Sequence, residues 1–184
     1  MKAIEVDNFS PTKQLIAENQ LFADGGVIGK NPSSIGGTFA FSILNKGVVM
    51  QNGGSIIVPT KDNPSISNNF SEFVALLEGM ERLPNTWTGI VYSDSKITLG
   101  RFFCGWSLTN IPNDLIRRLA VVRTRMVDFR LISYCLLEGH PTKSDLIRGY
   151  GKRGYPVHEQ NVWCDKKCQS LTRAYKYGET TYGS

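Results

Sequence analysis

Nowhere does the 184-residue chain offer the roughly 18 consecutive apolar residues that a membrane helix needs, so a helical span is excluded. Met1 to Pro11 carries Glu5 and Asp7 and has no apolar core. A secretory signal is therefore not expected, and a cytoplasmic protein is. Cysteine is sparse: Cys104, Cys135, Cys164 and Cys168 are too few and too scattered for a disulfide scaffold. Cys164 and Cys168 are four apart on an expected helix, but no further Cys or His completes a tetrahedral zinc set at the usual spacing. Reduced, partly buried thiols are expected instead. Histidine is scarcer still, with only His140 and His158. There is no internal repeat, no GxGxxG, no Walker loop and no HExxH, so dinucleotide, P-loop and zincin chemistry lack a motif.

What is present suits a folded domain. Hydrophobic residues make up 41% and aromatics 10%, enough for a core. Lys and Arg outnumber Asp and Glu by 21 to 16, a net charge of +5 that leans toward a polyanionic partner. Residues 1–15 read as an N-terminal extension. Gln20–Ala23 is a strand running into Asp24, followed by a turn-rich loop through Gly25-Gly26 and Gly29–Ser34. Gly37–Leu44 alternates as a strand and turns at Asn45-Lys46-Gly47 into Val48–Gln51, with Ser55–Val58 as a third hairpin strand. The period then lengthens. Phe73, Leu76, Leu77 and Met80 mark the apolar face of a helix opened by Asn68-Asn69.

Thr88–Tyr92 is an apolar strand ending at Ser93-Asp94, and Ile97, Leu99 and Phe102-Phe103 fit a helix after it. Another helix spans 114–128 from a start at Asn113, and Phe129–Leu137 is a further strand. Gly139–Gln160 is polar and loop-like, Asn161 caps a last helix over about 162–175, and 178–184 reads as a flexible tail. This order predicts one mixed α/β domain over 16–177. Its five-stranded sheet has three antiparallel strands plus two parallel ones, with helices on both faces.

Four acids fall at the ends of these elements. Asp24 and Asp94 close apolar strands, Glu72 lies in the first turn of its helix, and Asp165 opens the last helix. Each has an ordinary structural role available: turn residue, partner in an Asn69-x-x-Glu72 capping box, or anion at a helix start. None of those roles requires all four to meet at one sheet edge. Clustered carboxylates without Lys or Arg would repel one another and raise some pKa values, a cost that a divalent cation relieves. Oxygen-only ligands favour Mg²⁺ or Mn²⁺ over zinc. Two such ions about 4 Å apart can activate water and stabilise a leaving oxygen in phosphodiester cleavage.

The ordered motifs resemble ribonuclease H of type I and look closest to bacteriophage-encoded versions. Asp24-Gly25-Gly26 with Asn31-Pro32 and Gly36-Gly37 is similar to the opening strand, glycine loop and second strand. Asn68–Glu72 followed by Ala75–Gly79 resembles the helix of the catalytic glutamate, and Tyr92–Ser95 the third acidic position. Glu138-Gly139-His140 resembles the strand end that delivers a mobile catalytic histidine, and Asn161–Asp165 the last acidic motif. The match spans residues 20–175 in order. It implies a ribonuclease H-like fold and hydrolysis of the RNA strand of RNA–DNA hybrids, leaving 3′-hydroxyl and 5′-phosphate ends.

By this resemblance Asp24, Glu72, Asp94 and Asp165 hold two Mg²⁺ ions, with Mn²⁺ as substitute. His140 completes the catalytic set, favoured over His158. Gly25, Gly26 and Asn31 face the sugar 2′-hydroxyls, the group that separates RNA from DNA, and Asn69 faces the minor groove. The chain departs from the compact pattern in an insertion, a basic loop over 141–157. Its Gly149–Tyr155 stretch interleaves glycine, tyrosine and positive charge, so Lys152 and Arg153 are expected to touch phosphates. Arg117, Arg118, Arg123, Arg125 and Arg130 offer a second basic segment, with an ordinary solvated helix face as the plain alternative. Trp106 and Trp163 read as packing residues. The expected partner is an RNA–DNA hybrid, with no membrane or obligate protein partner and a monomeric chain. Alternatives are another nuclease of the same fold, such as a junction resolvase or transposase-like enzyme, or a catalytically silent nucleic-acid-binding module.

Overall fold

A computed structural model describes residues 4–5 and 18–177. The expected extension 1–15, apart from Ile4 and Glu5, and the expected tail 178–184 lie outside the described residues. In chain order the elements are β1 (Ile4–Glu5), β2 (Asn19–Val27), β3 (Gly37–Asn45), β4 (Val48–Ile57), α1 (Asn68–Glu81), β5 (Ile90–Ser93) and α2 (Lys96–Phe103). They continue with α3 (Asn113–Arg125), a 3₁₀ turn at Phe129–Leu131, β6 (Ser133–Leu136), α4 (Lys143–Arg148) and α5 (Glu159–Tyr177).

The sheet runs in the order β1-β6-β5-β2-β3-β4. β2, β3 and β4 form the antiparallel meander, while β5 and β6 lie parallel to β2. The three antiparallel and two parallel strands match the expected sheet once the segments read separately at 48–51 and 55–58 are joined as β4. The two-residue β1 adds a sixth by pairing parallel with β6. The β3–β4 hairpin turns on Lys46 and Gly47, both at positive φ (48° and 77°), as a two-residue turn matched to strand twist demands. β4 is one continuous strand through Gly53 and Gly54 rather than two pieces. Glycine is needed at Gly53 because a Cβ there would sit 2.8 Å from the Phe41 ring.

Side chains alternate along the strands and divide the core in two. Leu21, Ala23, Phe41, Ile43 and Val91 face α1, whose Phe73, Val74, Leu76, Leu77 and Met80 cover that side together with α2 and α3. Phe22, Ala40, Leu44, Ile90, Tyr92 and Cys135 face the other way, against Cys164 and Cys168 of α5. Helices thus cover both faces. All four cysteines are free, and three are buried. No described helix is long and apolar enough to cross a membrane.

Several local expectations are corrected. Ser67, not Asn69, caps α1 by accepting the Phe70 amide, so Asn69-x-x-Glu72 is no capping box. The strand expected from Phe129 begins only at Ser133. Asp128 accepts both the Arg130 amide and its guanidinium, and this folds 129–131 into a 3₁₀ turn. The last helix starts at Glu159. His158, not Asn161, stands at its head, its Nδ1 accepting the Gln160 amide, while Asn161 is buried inside the helix. The stretch expected to be an open loop contains α4, capped by a reciprocal Thr142–Asp145 box and closed by Gly149 in the left-handed region at φ 83°.

Candidate active site

The parallel register of β2 and β5 brings the first two acids together. Phe22 pairs with Tyr92, the last pair between these strands. Continuing that register by two residues sets Asp24 level with Asp94. β5 stops at Ser93 while β2 runs on to Val27, so both carboxylates stand at an open sheet end. Asp24 is therefore within its strand rather than just past it. Glu72 arrives from α1. Its approach depends on Gly25, where a Cβ would collide with the Ser71–Glu72 backbone. One oxygen each from Asp24, Glu72 and Asp94 lies within 4.8 Å of the others. Asp165 of α5 stands outside this compact trio but lines the same cavity of about 350 Å³. Its Oδ2 accepts a 2.9 Å hydrogen bond from Gln169.

The cluster is electrostatically unsatisfied. Burial, then the charges of Asp94, Asp165 and Glu72, push the Asp24 carboxyl well above its ordinary range, against one amide bond from Gly25. Burial raises Glu72 to about 7; the nearby Ser95 hydroxyl opposes this and Asp94 adds to it. Asp94 is raised chiefly by burial, with His140 as the main opposing influence. Among the described residues no Lys or Arg forms an ion pair with any of the four acids. Glu72 Oε2 and Asp94 Oδ1 are buried with no hydrogen-bond partner. Such orphaned carboxylate oxygens are costly unless a cation meets them. This all-oxygen donor set fits Mg²⁺ or Mn²⁺.

The two histidines separate clearly. His140 lines the acid cavity and is exposed, with φ at 50°. His158 packs on Phe22 at 4.4 Å between ring centroids, and burial lowers its pKa. Gly25 and Gly26 line the cavity. Asn31 does not line it, but its Oδ1 accepts the Asn68 amide at 3.1 Å, and Asn68 Nδ2 donates to Glu72 Oε1 at 2.8 Å. Asn68 thus joins the loop to the acid, a role the sequence reading missed. Asn69 is exposed and released from the capping role.

The basic residues divide by what holds them. Arg153 is held by Glu138, with Nε to Oε1 at 2.9 Å, and its guanidinium lies over Tyr155. Lys152 is exposed, and neither residue lines the cavity. Gly151 permits this clasp, because a Cβ there would overlap the Glu138 side chain. Arg118 binds Glu78 and Glu81, Arg123 and Arg125 donate to main-chain carbonyls, and Arg130 binds Asp128. The cation that does line the cavity is Arg173, alongside Thr38, Gln169 and Thr172. Its sequence signal is the helical spacing from Asp165.

No family model matches the chain, and no curated protein sequence matches it. Solved structures do. The N-terminal ribonuclease H domain of Rv2228c from Mycobacterium tuberculosis, solved as a maltose-binding-protein fusion, aligns with a TM-score of 0.57 at 16% identity. That alignment covers 88% of this chain and 98% of that one. The chain has the ribonuclease H fold. Ribonuclease H1 from the halophilic archaeon Halobacterium salinarum gives a TM-score of 0.55 at 16% identity, over 84% of this chain and 97% of that one. On this fold the acid trio at the open end of β2 and β5 is a donor set that could hold a divalent cation.

Proposed function

We propose that the chain is an endoribonuclease that hydrolyses the RNA strand of RNA–DNA hybrids, leaving 3′-hydroxyl and 5′-phosphate ends. One observation carries the reading: on a ribonuclease H fold, three carboxylates meet within 4.8 Å and leave two buried oxygens unpartnered. Asp24, Glu72, Asp94 and Asp165 would hold two Mg²⁺ ions, with Mn²⁺ as a substitute. Bound there, the ions would supply an activated water and charge stabilisation at the leaving oxygen. His140, exposed at the cavity rim, hands a proton to the departing 3′-oxygen. The Asn31–Asn68–Glu72 chain ties the glycine loop to the acids, so that Asn31, Gly25 and Gly26 can meet the 2′-hydroxyls of the RNA strand. Asn69, exposed beside them, faces the groove.

In this reading residues 16–177 act as one catalytic domain, a monomer working in the cytoplasm without membrane or obligate protein partner. The motif pattern suggests a bacteriophage-type enzyme, placing it in a host cytoplasm. The test is incubation with labelled RNA–DNA hybrid, duplex RNA, duplex DNA and a four-way junction, each with Mg²⁺, Mn²⁺ or EDTA. Hybrid-only, metal-dependent cleavage that disappears in Asp94→Asn is expected. Equal cutting of duplex DNA or of the junction would replace this reading with another nuclease of the fold, and binding without cutting would leave a silent binding module. Within the active protein, His140→Ala lowers turnover more than His158→Ala; the reverse order removes His140 from the mechanism.

A further inference from the structure

The acid cavity has a second wall with different chemistry. Asp165, Cys168, Gln169, Thr172 and Arg173 fall at i, i+3, i+4, i+7 and i+8 on α5, the spacing of a single helix face, and all five line the cavity. Along this face the side chains change from carboxylate through amide and hydroxyl to guanidinium. Eight residues of helix separate the ends by about 12 Å. Arg173 is the only Lys or Arg among the described residues lining the cavity, it is solvent-exposed, and no ion pair holds it. Most arginines of the fold are otherwise engaged, including Arg82, Arg118, Arg123, Arg125, Arg130, Arg148 and Arg153.

Against α5, next to Cys168, β3 contributes Thr38. This residue is fully buried, yet its Oγ1 lines the cavity wall without a hydrogen-bond partner, beside only the weakly polar Cys168 thiol. Its antiparallel neighbour is Gly26, where a Cβ would come within 3.1 Å of that hydroxyl. Glycine there keeps the space beside that hydroxyl free of a side chain. A buried hydroxyl without a strong partner and a free guanidinium lining one cavity share a ligand chemistry, that of a phosphate oxygen.

We infer that Arg173, Thr172 and Thr38 form a phosphate subsite that grips the nucleic-acid backbone away from the phosphate at the acids. The physical need is plain. Four carboxylates repel a polyanion, so the strand requires a cation near enough to orient it and far enough not to neutralise Asp24, Glu72 and Asp94. An arginine at the far end of the Asp165 helix face meets both conditions, and its planar fork suits two oxygens of one phosphate. The subsite rests on the nucleic-acid reading above, but its test does not require cleavage.

Binding of a fluorescent RNA–DNA hybrid is measured by anisotropy in EDTA, as a function of salt, for wild type, Arg173→Ala, Arg173→Lys, Thr38→Val and the exposed Arg117→Ala. Arg173→Ala is expected to weaken binding about tenfold at about 0.1 M salt and to reduce the salt slope by about one. Arg173→Lys keeps the slope and loses part of the affinity, Thr38→Val loses a smaller factor without changing the slope, and Arg117→Ala matches wild type. Wild-type affinity and slope in Arg173→Ala would overturn the subsite. A binding loss in Arg173→Ala in a protein that cuts no hybrid would keep the subsite and remove the cleavage reading instead.

Discussion

Helix α1 carries glutamates in opposite surroundings at its two ends. Near its start, Glu72 has no cation partner and is raised to about 7. Two turns further on, Glu78 is also penalised by burial, but Arg118 and Arg82 outweigh that and hold its carboxyl below the ordinary value. Arg118 spans Glu78 at 2.6 Å and Glu81 at 2.5 Å, fastening α3 to α1. The difference lies in where the arginines are placed. At one end they complete the fold; at the other they are withheld, and the anionic charge stays available to something outside the chain. A count of positive residues along the sequence therefore says little about which of them a ligand can reach.

The contrast can be broken most strongly through pH. Glu72 binds its proton more tightly folded than unfolded. Its contribution to stability is thus complete below about 4.5 and is lost as pH rises through about 7. That loss is on the order of 3 kcal/mol if the unfolded value is ordinary. Without divalent ions at about pH 8, Glu72→Gln should need more urea to unfold than wild type, with the gap closing near pH 4. Adding Mg²⁺ should raise the wild-type midpoint and leave the variant's nearly unchanged. A wild type that is as stable as the variant at high pH in EDTA would mean that Glu72 is not under this stress.

At the other end the expected change has the opposite sign and is somewhat smaller. Arg118→Ala removes the shared partner of two partly buried carboxylates and should cost about 2 kcal/mol in urea unfolding. Its hybrid cleavage should stay within about twofold of wild type, because the network lies away from the acids. A cleavage defect without a stability loss would reverse the assignment. The least effect belongs to Arg117→Ala, one residue along α3 and exposed, which should move stability by no more than about 0.5 kcal/mol.

The parts of the fold that were readable from sequence are those governed by local rules. Lys46-Gly47 announces its turn, the Phe73–Met80 spacing announces α1, and the apolar runs leading into Asp24 and Asp94 announce the two strands that carry these acids. What was not readable depends on partners distant in sequence. β1 is two residues long and exists through its pairing with β6. Glu138 clasps Arg153 across 15 residues of chain, a pairing that no local pattern announces. Arg173 went unnoticed because one arginine eight residues beyond Asp165 means nothing until α5 is known to turn that face to the cavity. Asn69 and Asn161 read as caps where Ser67 and His158 stand at the helix heads, since a side chain's own preference does not reveal which residue leaves the strand conformation first.

Gly25 has a mechanical consequence. Because β2 meets the Ser71–Glu72 peptide backbone to backbone there, the spacing between Asp24 and Glu72 is set by stiff main-chain atoms and not by the compliant side chains of the core. Substitutions that shift or repack Phe73, Leu76 or Met80 can loosen the domain while this gauge stays constant. The acids are in that sense insulated from drift in the interior, and the chain is free to vary its core composition widely so long as position 25 remains without a side chain.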